Sequence, residues 1–361
     1  MLNYDDILAV SPYSLSKQEK EKLLTLKLIE LTKYHYEHCE EYNRMLDCVG
    51  FDPGDACIYY DIPFLPVSLF KELDLLSIGK DNIIKTMTSS GTTGQAVSKI
   101  YLDKATASNQ QKALVKIVSN FIGSERMPML IIDCPSVLKN KSIFSARSAG
   151  ILGFSIFGTD NTYALDDDMG LNISAILKFL EKHKGQHILM FGFTFMIWQH
   201  FYKALKKSKI KLDLSNGILI HGGGWKKLVT EAVSKENFKN CLSEVCELKN
   251  IHNYYGMVEQ AGSIYMECEH GNLHASIFSD IITRRTNDFS VCYIGETGIV
   301  QVISVLPESY PGHSLLTDDE GVILGEDDCL CGRKGKYFEI KGRLLNAEIR
   351  GCSDTYASDF R

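Results

Sequence analysis

The first clear pattern of hydrophobic and polar positions in this chain predicts a helix. In residues 15–46, leucines and an isoleucine lie among lysines and glutamates, as on an amphipathic helix. Ser16 is the expected N-cap because Glu19, three residues on, would complete a capping box, and Ser14 is the alternative. The apolar segment 60–70 is punctuated by prolines, which predicts an extended connector.

Shorter apolar runs follow, and they are typical of buried strands. They lie at residues 129–134, 187–193 and 217–224, and a helical pattern at 171–184 separates the first run from the second. Strands that alternate with helices over this length predict an α/β fold, with a mixed or parallel sheet covered on both faces. After about residue 280 the runs become shorter strands, which predicts a smaller β-rich subdomain continuous with the first region.

Composition narrows the class of protein. Of the 361 residues, 45% are hydrophobic and 23% are charged, which argues against a disordered or fibrous chain. The net charge of −6 argues against general binding to nucleic acid or to an anionic membrane. We find no apolar run long enough to span a membrane and no secretory leader at the N-terminus. We therefore expect a cytoplasmic protein whose 11 cysteines are thiols, metal ligands or nucleophiles.

Three short segments have the chemistry of a nucleotide site. Residues 88–94 (TSSGTTG) expose backbone N–H groups suited to phosphate, although they lack the Gly-Lys-Ser/Thr ending of a P-loop. Residues 221–225 (HGGGW) follow a predicted strand and let a ligand approach the backbone closely. Residues 253–259 (NYYGMVE) combine aromatic rings that can stack on a purine with a carboxylate that can hold Mg²⁺. Each segment alone also fits an ordinary turn or core segment, but their combination favours a nucleotide.

These segments also resemble a known family. TSSGTTG (88–94), HGGGW (221–225), YYGMVEQ (254–260), LLTDDEGVI (315–323) and KGR (341–343) are similar, in this order, to the core motifs of adenylate-forming enzymes. The closer resemblance is to the acyl-protein synthetases of the bacterial luminescence fatty-acid reductase, which are related to phenylacetate–coenzyme A ligases. It implies an adenylate-forming domain over residues 61–345, after an N-terminal helical segment (1–60) and before a C-terminal tail (346–361).

The resemblance also implies roles for individual residues. Those that would wrap the β- and γ-phosphates of ATP are Ser89, Ser90, Gly91, Thr92 and Thr93. Those beside the adenine and the acyl carboxylate would be Gly222, Gly223 and Gly224, with Tyr254 or Tyr255 stacking on adenine; Gly256 would also be a cofactor-binding residue. Glu259 would ligate Mg²⁺, Asp319 would bind the ribose hydroxyls, and Arg343 would contact ribose or phosphate. Asp318 is the alternative to Asp319 because TDD replaces the Thr-Gly-Asp of the family.

The C-terminal tail suggests the acceptor of the acyl group. The chain ends 18 residues after Arg343, whereas typical acyl–coenzyme A ligases continue into a mobile catalytic domain. The resemblance therefore implies that this domain is lacking and that Cys352 accepts the acyl group as a thioester. Arg350 would lower the pKa of that thiol, and Gly351 would allow close approach. From the residues alone, an inert thiol near the terminus is the plainer interpretation.

The predicted function is therefore ATP-dependent activation of a carboxylic acid of the fatty-acid class to acyl-AMP, followed by loading of Cys352. The resemblance implies delivery of the thioester to an NADPH-dependent acyl reductase partner. A phenylacetate-type coenzyme A ligase is the first alternative, and a non-catalytic scaffold of a reductase complex is the second.

A separate group of cysteines and histidines suggests structural zinc. Cys268, His270 and His274 lie close together in sequence, and Cys329 and Cys331 follow as a Cys-x-Cys pair. Thiolates and imidazoles are the ligands of tetrahedral Zn²⁺. The stretch CLCGR resembles the structural zinc site of phenylacetate ligase-like proteins, which implies Cys268, His274, Cys329 and Cys331 as ligands, with His270 as the substitute. Reduced cysteines near surface turns are the alternative.

Overall fold

A computed structural model describes residues 3–89, 97–138 and 146–344. These residues form two compact units: the first unit holds residues 3–89, 97–121 and 256–344, and the second holds residues 122–138 and 146–255. The helices α1 to α10 are Tyr4–Ala9, Lys17–His38, Glu40–Cys48, Leu69–Glu72, Lys104–Ile122, Ala146–Ser155, Ile173–Lys182, Thr194–Met196, Lys203–Ser208 and Lys235–Cys246. The strands β1 to β14 are Leu65–Pro66, Lys85–Thr88, Lys99–Leu102, Met127–Ile132, Gly158–Tyr163, Ile188–Phe193, Gly217–Gly222, Asn250–Tyr255, Tyr265–Glu267, Leu273–His274, Ser279–Arg284, Thr297–Ser304, Ser314–Glu326 and Lys336–Arg343. Among the described helices, none is long and apolar enough to cross a membrane.

The first unit is built on an antiparallel sheet with the strand order β11-β12-β13-β14-β10-β9. The strands expected after about residue 280 are β11 to β14. Strand β1, from the segment predicted to be extended, pairs in parallel with β13 and places Leu65 opposite Leu315. Strands β2 and β3 form a separate hairpin. The β-rich part of the chain therefore also takes strands from the N-terminal region.

The N-terminal helical segment begins as predicted. Glu19 Oε2 accepts hydrogen bonds from the Ser16 N–H at 2.9 Å and from the Ser16 hydroxyl at 2.6 Å, which confirms the capping box. The single helix predicted over 15–46 is wrong at Cys39, whose backbone is extended, so that α2 ends at His38 and α3 begins at Glu40. After this turn, the buried ring of Tyr42 packs against His313.

Buried charge ties α2 to the sheet of the first unit. The Asp280 carboxylate accepts hydrogen bonds from Lys20 Nζ at 3.0 Å, from Lys336 Nζ at 2.6 Å and from the Tyr59 hydroxyl. All four side chains are buried. Although burial disfavours the anionic form, the two ammonium groups and their hydrogen bonds hold the pKa of Asp280 well below its ordinary value. The carboxylate is therefore charged and paired in the folded protein.

The second unit is an α/β structure with a parallel sheet of order β5-β4-β6-β7-β8. Strands β4, β6 and β7 confirm the predicted apolar runs, and α7 confirms the predicted helix. The face of β6 that carries Met190 packs in one core with α7, α10 and the helical segment 194–208. On the other face, Phe191 stacks on Phe154 of α6. Helices therefore cover both faces, and open parallel sheets of this type bind ligands at the carboxyl ends of their strands.

Candidate functional site

Ser89 lies at the loop end of the hairpin formed by β2 and β3. Its N–H donates a hydrogen bond to the Ser98 carbonyl at 3.1 Å, and its hydroxyl accepts one from the Ser98 N–H at 2.9 Å. The Ser89 side chain therefore holds the two strands together at the start of the predicted phosphate loop. The other predicted phosphate-binding residues, Ser90, Gly91, Thr92 and Thr93, lie outside the described residues.

The three glycines at the end of β7, Gly222, Gly223 and Gly224, differ in what they accommodate. A Cβ atom on Gly222 would lie only 2.5 Å from Tyr254 Cε1, so the absence of a side chain there makes room for the tyrosine ring. Gly223 has a φ of +76°, in the left-handed region that favours glycine. A Cβ atom on Gly224 would meet no described atom within 4 Å. Of the three glycines, Gly224 is therefore the one whose backbone no described side chain obstructs.

The structure distinguishes the two tyrosines at the end of β8. Tyr254 packs against Gly222 and belongs to an aromatic group with Phe154, whose ring centroid is 5.2 Å away, and with Phe191 at 6.4 Å. Successive residues of a strand point to opposite faces of a sheet. Tyr255, which directly follows, therefore faces away from this aromatic group. Only one of the two candidate rings lies beside the glycines of β7.

In the first unit, Glu259 lies in a short, firmly anchored turn. Glu259 is 4% exposed, and its backbone carbonyl accepts a hydrogen bond from the Tyr310 hydroxyl at 2.9 Å. The next residue, Gln260, donates through Nε2 to the carbonyls of Val302 at 3.0 Å and Gly312 at 2.8 Å. A buried carboxylate on a backbone fixed in this way is suited to holding a cation at a defined position.

Asp319 and Arg343 come together on neighbouring strands of the first unit. They are directly opposite each other in the β13–β14 pair, and Arg343 Nε lies 3.6 Å from Asp319 Oδ1. The Asp319 N–H donates to the Thr317 hydroxyl at 3.1 Å, which supports the carboxylate from its own strand. The predicted ribose-binding carboxylate and the predicted ribose- or phosphate-binding cation are thus adjacent.

The predicted zinc ligands also come together in the first unit. The ligand atoms of Cys268, His274, Cys329 and Cys331 all lie within 4.8 Å of one another. Cys268 Sγ is 4.0 Å from Cys329 Sγ, and Cys331 Sγ is 3.4 Å from His274 Nε2. His270, the substitute ligand, is exposed and lies outside this group.

Two turns with the same backbone geometry present the cysteines. The Gly271 N–H donates to the Cys268 carbonyl, and the Gly332 N–H donates to the Cys329 carbonyl, both at 2.9 Å. Both glycines have a φ of +78°, a conformation that side chains disfavour. His274 comes from β10, where it stacks on Tyr337 of β14. Two turns and one strand therefore converge on a common point.

The spacing and chemistry of this group fit zinc. Zinc–sulfur bonds of about 2.3 Å and zinc–nitrogen bonds of about 2.0 Å in a tetrahedron separate neighbouring ligand atoms by about 3.5–3.8 Å. The observed separations of 4.0 and 3.4 Å bracket that range. Burial lowers the pKa of His274 to about 4, so the ring is the neutral species that binds metals. Burial raises the pKa of Cys268 to about 12 because it disfavours the thiolate. A bound metal cation would offset this penalty by stabilising the negative charge.

Sequence reasoning missed two residues that support this group. Arg333 Nη1 lies 3.0 Å from Glu269 Oε2, so an ion pair joins the two cysteine turns. The Arg333 guanidinium also lies over the Phe121 ring at 3.9 Å and donates to Asn120 Oδ1 at 2.9 Å. The available signal was that each residue lies within two positions of a turn cysteine.

Cys352, the predicted acyl acceptor, lies outside the described residues.

Comparison with solved structures defines the class of fold. The chain is similar to 2-hydroxyisobutyryl-CoA ligase in an open conformation in complex with 2-HIB-AMP and CoA, with a TM-score of 0.70 and 15% identity over 92% of this chain and 77% of that one. A structure of the same ligase in the thioesterification state also matches with a TM-score of 0.70 and 15% identity, over 92% of this chain and 70% of that one. The fold is therefore that of the adenylate-forming ligases.

Comparison of sequences identifies the family within that class. The family described as acyl-protein synthetase, LuxE, matches residues 2–361, and this chain belongs to it. The chain is 22% identical to the long-chain-fatty-acid–luciferin-component ligase of Vibrio harveyi, over 99% of this chain and 93% of that protein. It is 23% identical to the ligase of the same name from Aliivibrio fischeri, over 98% of this chain and 93% of that protein. As a member of this family, the protein is a ligase.

Proposed function

We propose that this protein activates a carboxylic acid of the fatty-acid class with ATP and then transfers the acyl group to its own Cys352. The match to the acyl-protein synthetase family over residues 2–361 carries this proposal. The names of the relatives from Vibrio harveyi and Aliivibrio fischeri, which specify a long-chain fatty acid, support the class of acid. The thioester would then pass to an acyl reductase partner.

The proposed reaction has two steps. A carboxylate oxygen attacks the α-phosphorus of ATP. The bond between that phosphorus and the oxygen that bridges it to the β-phosphate breaks, and pyrophosphate leaves with the electron pair of this bond. The product is an acyl-adenylate, which is a mixed anhydride. The Cys352 thiolate then attacks the acyl carbon, AMP leaves with the electrons of the carbon–oxygen bond, and a thioester remains on the protein.

The arrangement of the described residues supports roles in the first step. The open backbone at Gly224 suits close approach of the acyl carboxylate or adenine, and the adjacent Asp319 and Arg343 suit a ribose and its phosphate. Glu259 would hold Mg²⁺, a hard cation that prefers oxygen ligands and neutralises phosphate charge. Tyr255, rather than Tyr254, would stack on adenine, because the Tyr254 ring already packs against Gly222.

We also propose that Cys268, His274, Cys329 and Cys331 hold a structural zinc ion. Four protein ligands leave no coordination position for a substrate, so the metal would stabilise the two cysteine turns rather than take part in the reaction. The clustering of the four ligand atoms within 4.8 Å of one another, with Cys268, His274 and Cys329 buried, supports this assignment.

The test of the acyl-transfer function separates its two steps. The first measurement is ATP–pyrophosphate exchange that depends on added carboxylic acid. The second is attachment of radiolabelled acyl groups to the protein. We expect Cys352→Ser to retain exchange and to lose labelling, because the serine variant still forms the adenylate but lacks the thiol. Cys57→Ser is the matched control, since Cys57 is an exposed cysteine outside every site described above.

The possible results are distinct. Exchange without labelling in the unaltered protein, together with efficient formation of acyl–coenzyme A, would indicate the coenzyme A ligase instead. Absence of both exchange and labelling would indicate the non-catalytic scaffold. Labelling that persists in Cys352→Ser would show that another residue accepts the acyl group.

A further inference from the structure

Thr194 connects two neighbouring strands of the second unit at their carboxyl ends. It directly follows β6 and is 6% exposed. Its Oγ1 atom lies 3.2 Å from the carbonyl oxygen of Gly222 and 2.9 Å from Nδ1 of His221. Both partners belong to β7, whose Gly222 is paired with Phe193 of β6. The hydroxyl therefore contacts the end of β7, where the glycine segment (residues 222–224) begins.

The chemistry of the three groups fixes the direction of both hydrogen bonds. A carbonyl oxygen only accepts, so the Thr194 hydroxyl donates its hydrogen to Gly222. The same hydroxyl oxygen must then accept a hydrogen bond from His221 Nδ1, which requires a proton on that nitrogen. Burial lowers the pKa of His221 to about 3, so the ring is neutral at physiological pH. His221 is thereby held as the Nδ1-protonated tautomer.

The hydrogen bond to the Gly222 carbonyl restrains the backbone at Gly222 and Gly223, which have no side chains that could do so. A peptide unit is planar and trans, so its C=O and N–H point in opposite directions. With the Gly222 carbonyl held toward Thr194, the Gly223 N–H must point away from it. Glycine alone restricts backbone rotation very little. The hydrogen bond from Thr194 therefore contributes to the orientation of the backbone that leads to Gly224.

We propose that Thr194 is a positioning residue for acyl-adenylate formation. Its hydroxyl holds the peptide between Gly222 and Gly223 so that the glycine segment presents its backbone in a fixed orientation to the reacting groups. This inference rests on the proposed function. Donors and dipoles that are oriented before the reaction stabilise developing charge without a cost of reorganisation. Thr194 itself need not contact the substrate.

The test removes only the hydroxyl. Thr194→Val keeps the shape of the side chain, and Thr194→Ser keeps the hydroxyl. The matched control is Thr32→Val in α2 of the first unit. The Thr32 hydroxyl is also buried, donates to a carbonyl (Leu28, 2.8 Å) and lies 3.0 Å from a histidine nitrogen (His313 Nε2). Each valine variant therefore loses one hydrogen bond to a backbone carbonyl and one to a histidine ring, Thr194→Val in the second unit and Thr32→Val in the first.

The measurement is acid-dependent ATP–pyrophosphate exchange, with kcat and KM determined separately at a temperature where circular dichroism shows every variant to be folded. We expect Thr194→Val to lower kcat by on the order of 100-fold, the effect of misplacing reacting groups by about 1 Å. Thr194→Ser should restore kcat to within about threefold of the unaltered protein. Thr32→Val should lose thermal stability similarly to Thr194→Val but keep its kcat.

Three results would overturn the inference. The first is undiminished exchange in Thr194→Val, with exchange present in the unaltered protein. The second is an equal loss of kcat in the two valine variants, which would indicate a general structural effect. The third is a serine variant as impaired as the valine variant. Absence of exchange in the unaltered protein would instead overturn the proposed function, and this inference with it.

Discussion

Arg343 lies directly opposite Asp319 in the antiparallel pair of β13 and β14, with its Nε atom 3.6 Å from Asp319 Oδ1. The neighbouring Asp318 occupies the next position of the same strand, so its side chain points to the opposite face. The relationship thus favours Asp319 over Asp318 as the carboxylate that works with Arg343. Sequence similarity alone had left both candidates open.

The first prediction tests this choice between two adjacent carboxylates. We expect Asp319→Asn to raise the KM for ATP by about 10- to 100-fold, the effect of losing a hydrogen bond to a charged group. Asp318→Asn should change it by less than about threefold, because the Asp318 side chain points away from Arg343. The measurement is the ATP dependence of pyrophosphate exchange. Equal effects of both substitutions would contradict the assignment.

The second prediction separates packing from ligand approach in the glycine segment. Gly222→Ala places a methyl group against the Tyr254 ring and should lower the free energy of unfolding by about 1–3 kcal/mol. Gly224→Ala meets no described atom and should change stability by less than about 1 kcal/mol. We nevertheless expect Gly224→Ala to reduce exchange strongly. Urea unfolding and exchange assays measure the two effects, and a fully active Gly224→Ala would argue against ligand approach at that position.

The third prediction concerns the Cys/His group. We expect the purified protein to contain about one zinc ion per chain, the content of one four-ligand structural site. His274→Ala should lose most of the metal. Loss of a residue that only supports a ligand costs roughly 10- to 100-fold in metal affinity, and we expect loss of a ligand itself to cost more. His270→Ala is the control and should keep it, because His270 lies outside the group. Elemental analysis gives the metal content, and retention of zinc by His274→Ala would refute the ligand set.

The fourth prediction follows from the depressed pKa of Asp280. The folded protein holds this carboxyl ionised below its unfolded pKa of about 3.9, so its stabilising effect is complete above that pH and is lost as the pH falls toward the folded pKa. Asp280→Asn leaves Lys20 and Lys336 without their buried partner and should cost about 3–5 kcal/mol at pH 7.

The difference between the two proteins should shrink as the pH falls below about 4, where the Asp280 carboxyl of the unaltered protein begins to take up a proton. Urea unfolding at a series of pH values measures it. Because the difference is taken between two proteins that share every histidine, the buried His35 and His313 cancel from it to a first approximation. A difference that grew as the pH fell below about 4 would contradict the assigned direction.

Much of the local structure could be predicted because its causes lie within a few residues. The capping box at Ser16 and Glu19 depends on neighbours three positions apart, and the apolar run that became β6 needs only its own composition to be a buried strand. The break at Cys39 could not be predicted, because both halves of the segment favour helix. The contact that accompanies the break, between Tyr42 and His313, joins residues far apart in sequence.

The residue types of the candidate motifs, and their order along the chain, were readable from the amino acids because motifs depend on short spacings. Which member of each ambiguous pair takes part depended instead on folding. His274 rather than His270 joins the cysteines, Tyr254 rather than Tyr255 packs on Gly222, and Thr194 contacts a glycine 28 residues away. Strand pairing and side-chain alternation decide these outcomes, since they set which distant residues share a face, and no local spacing contains that information.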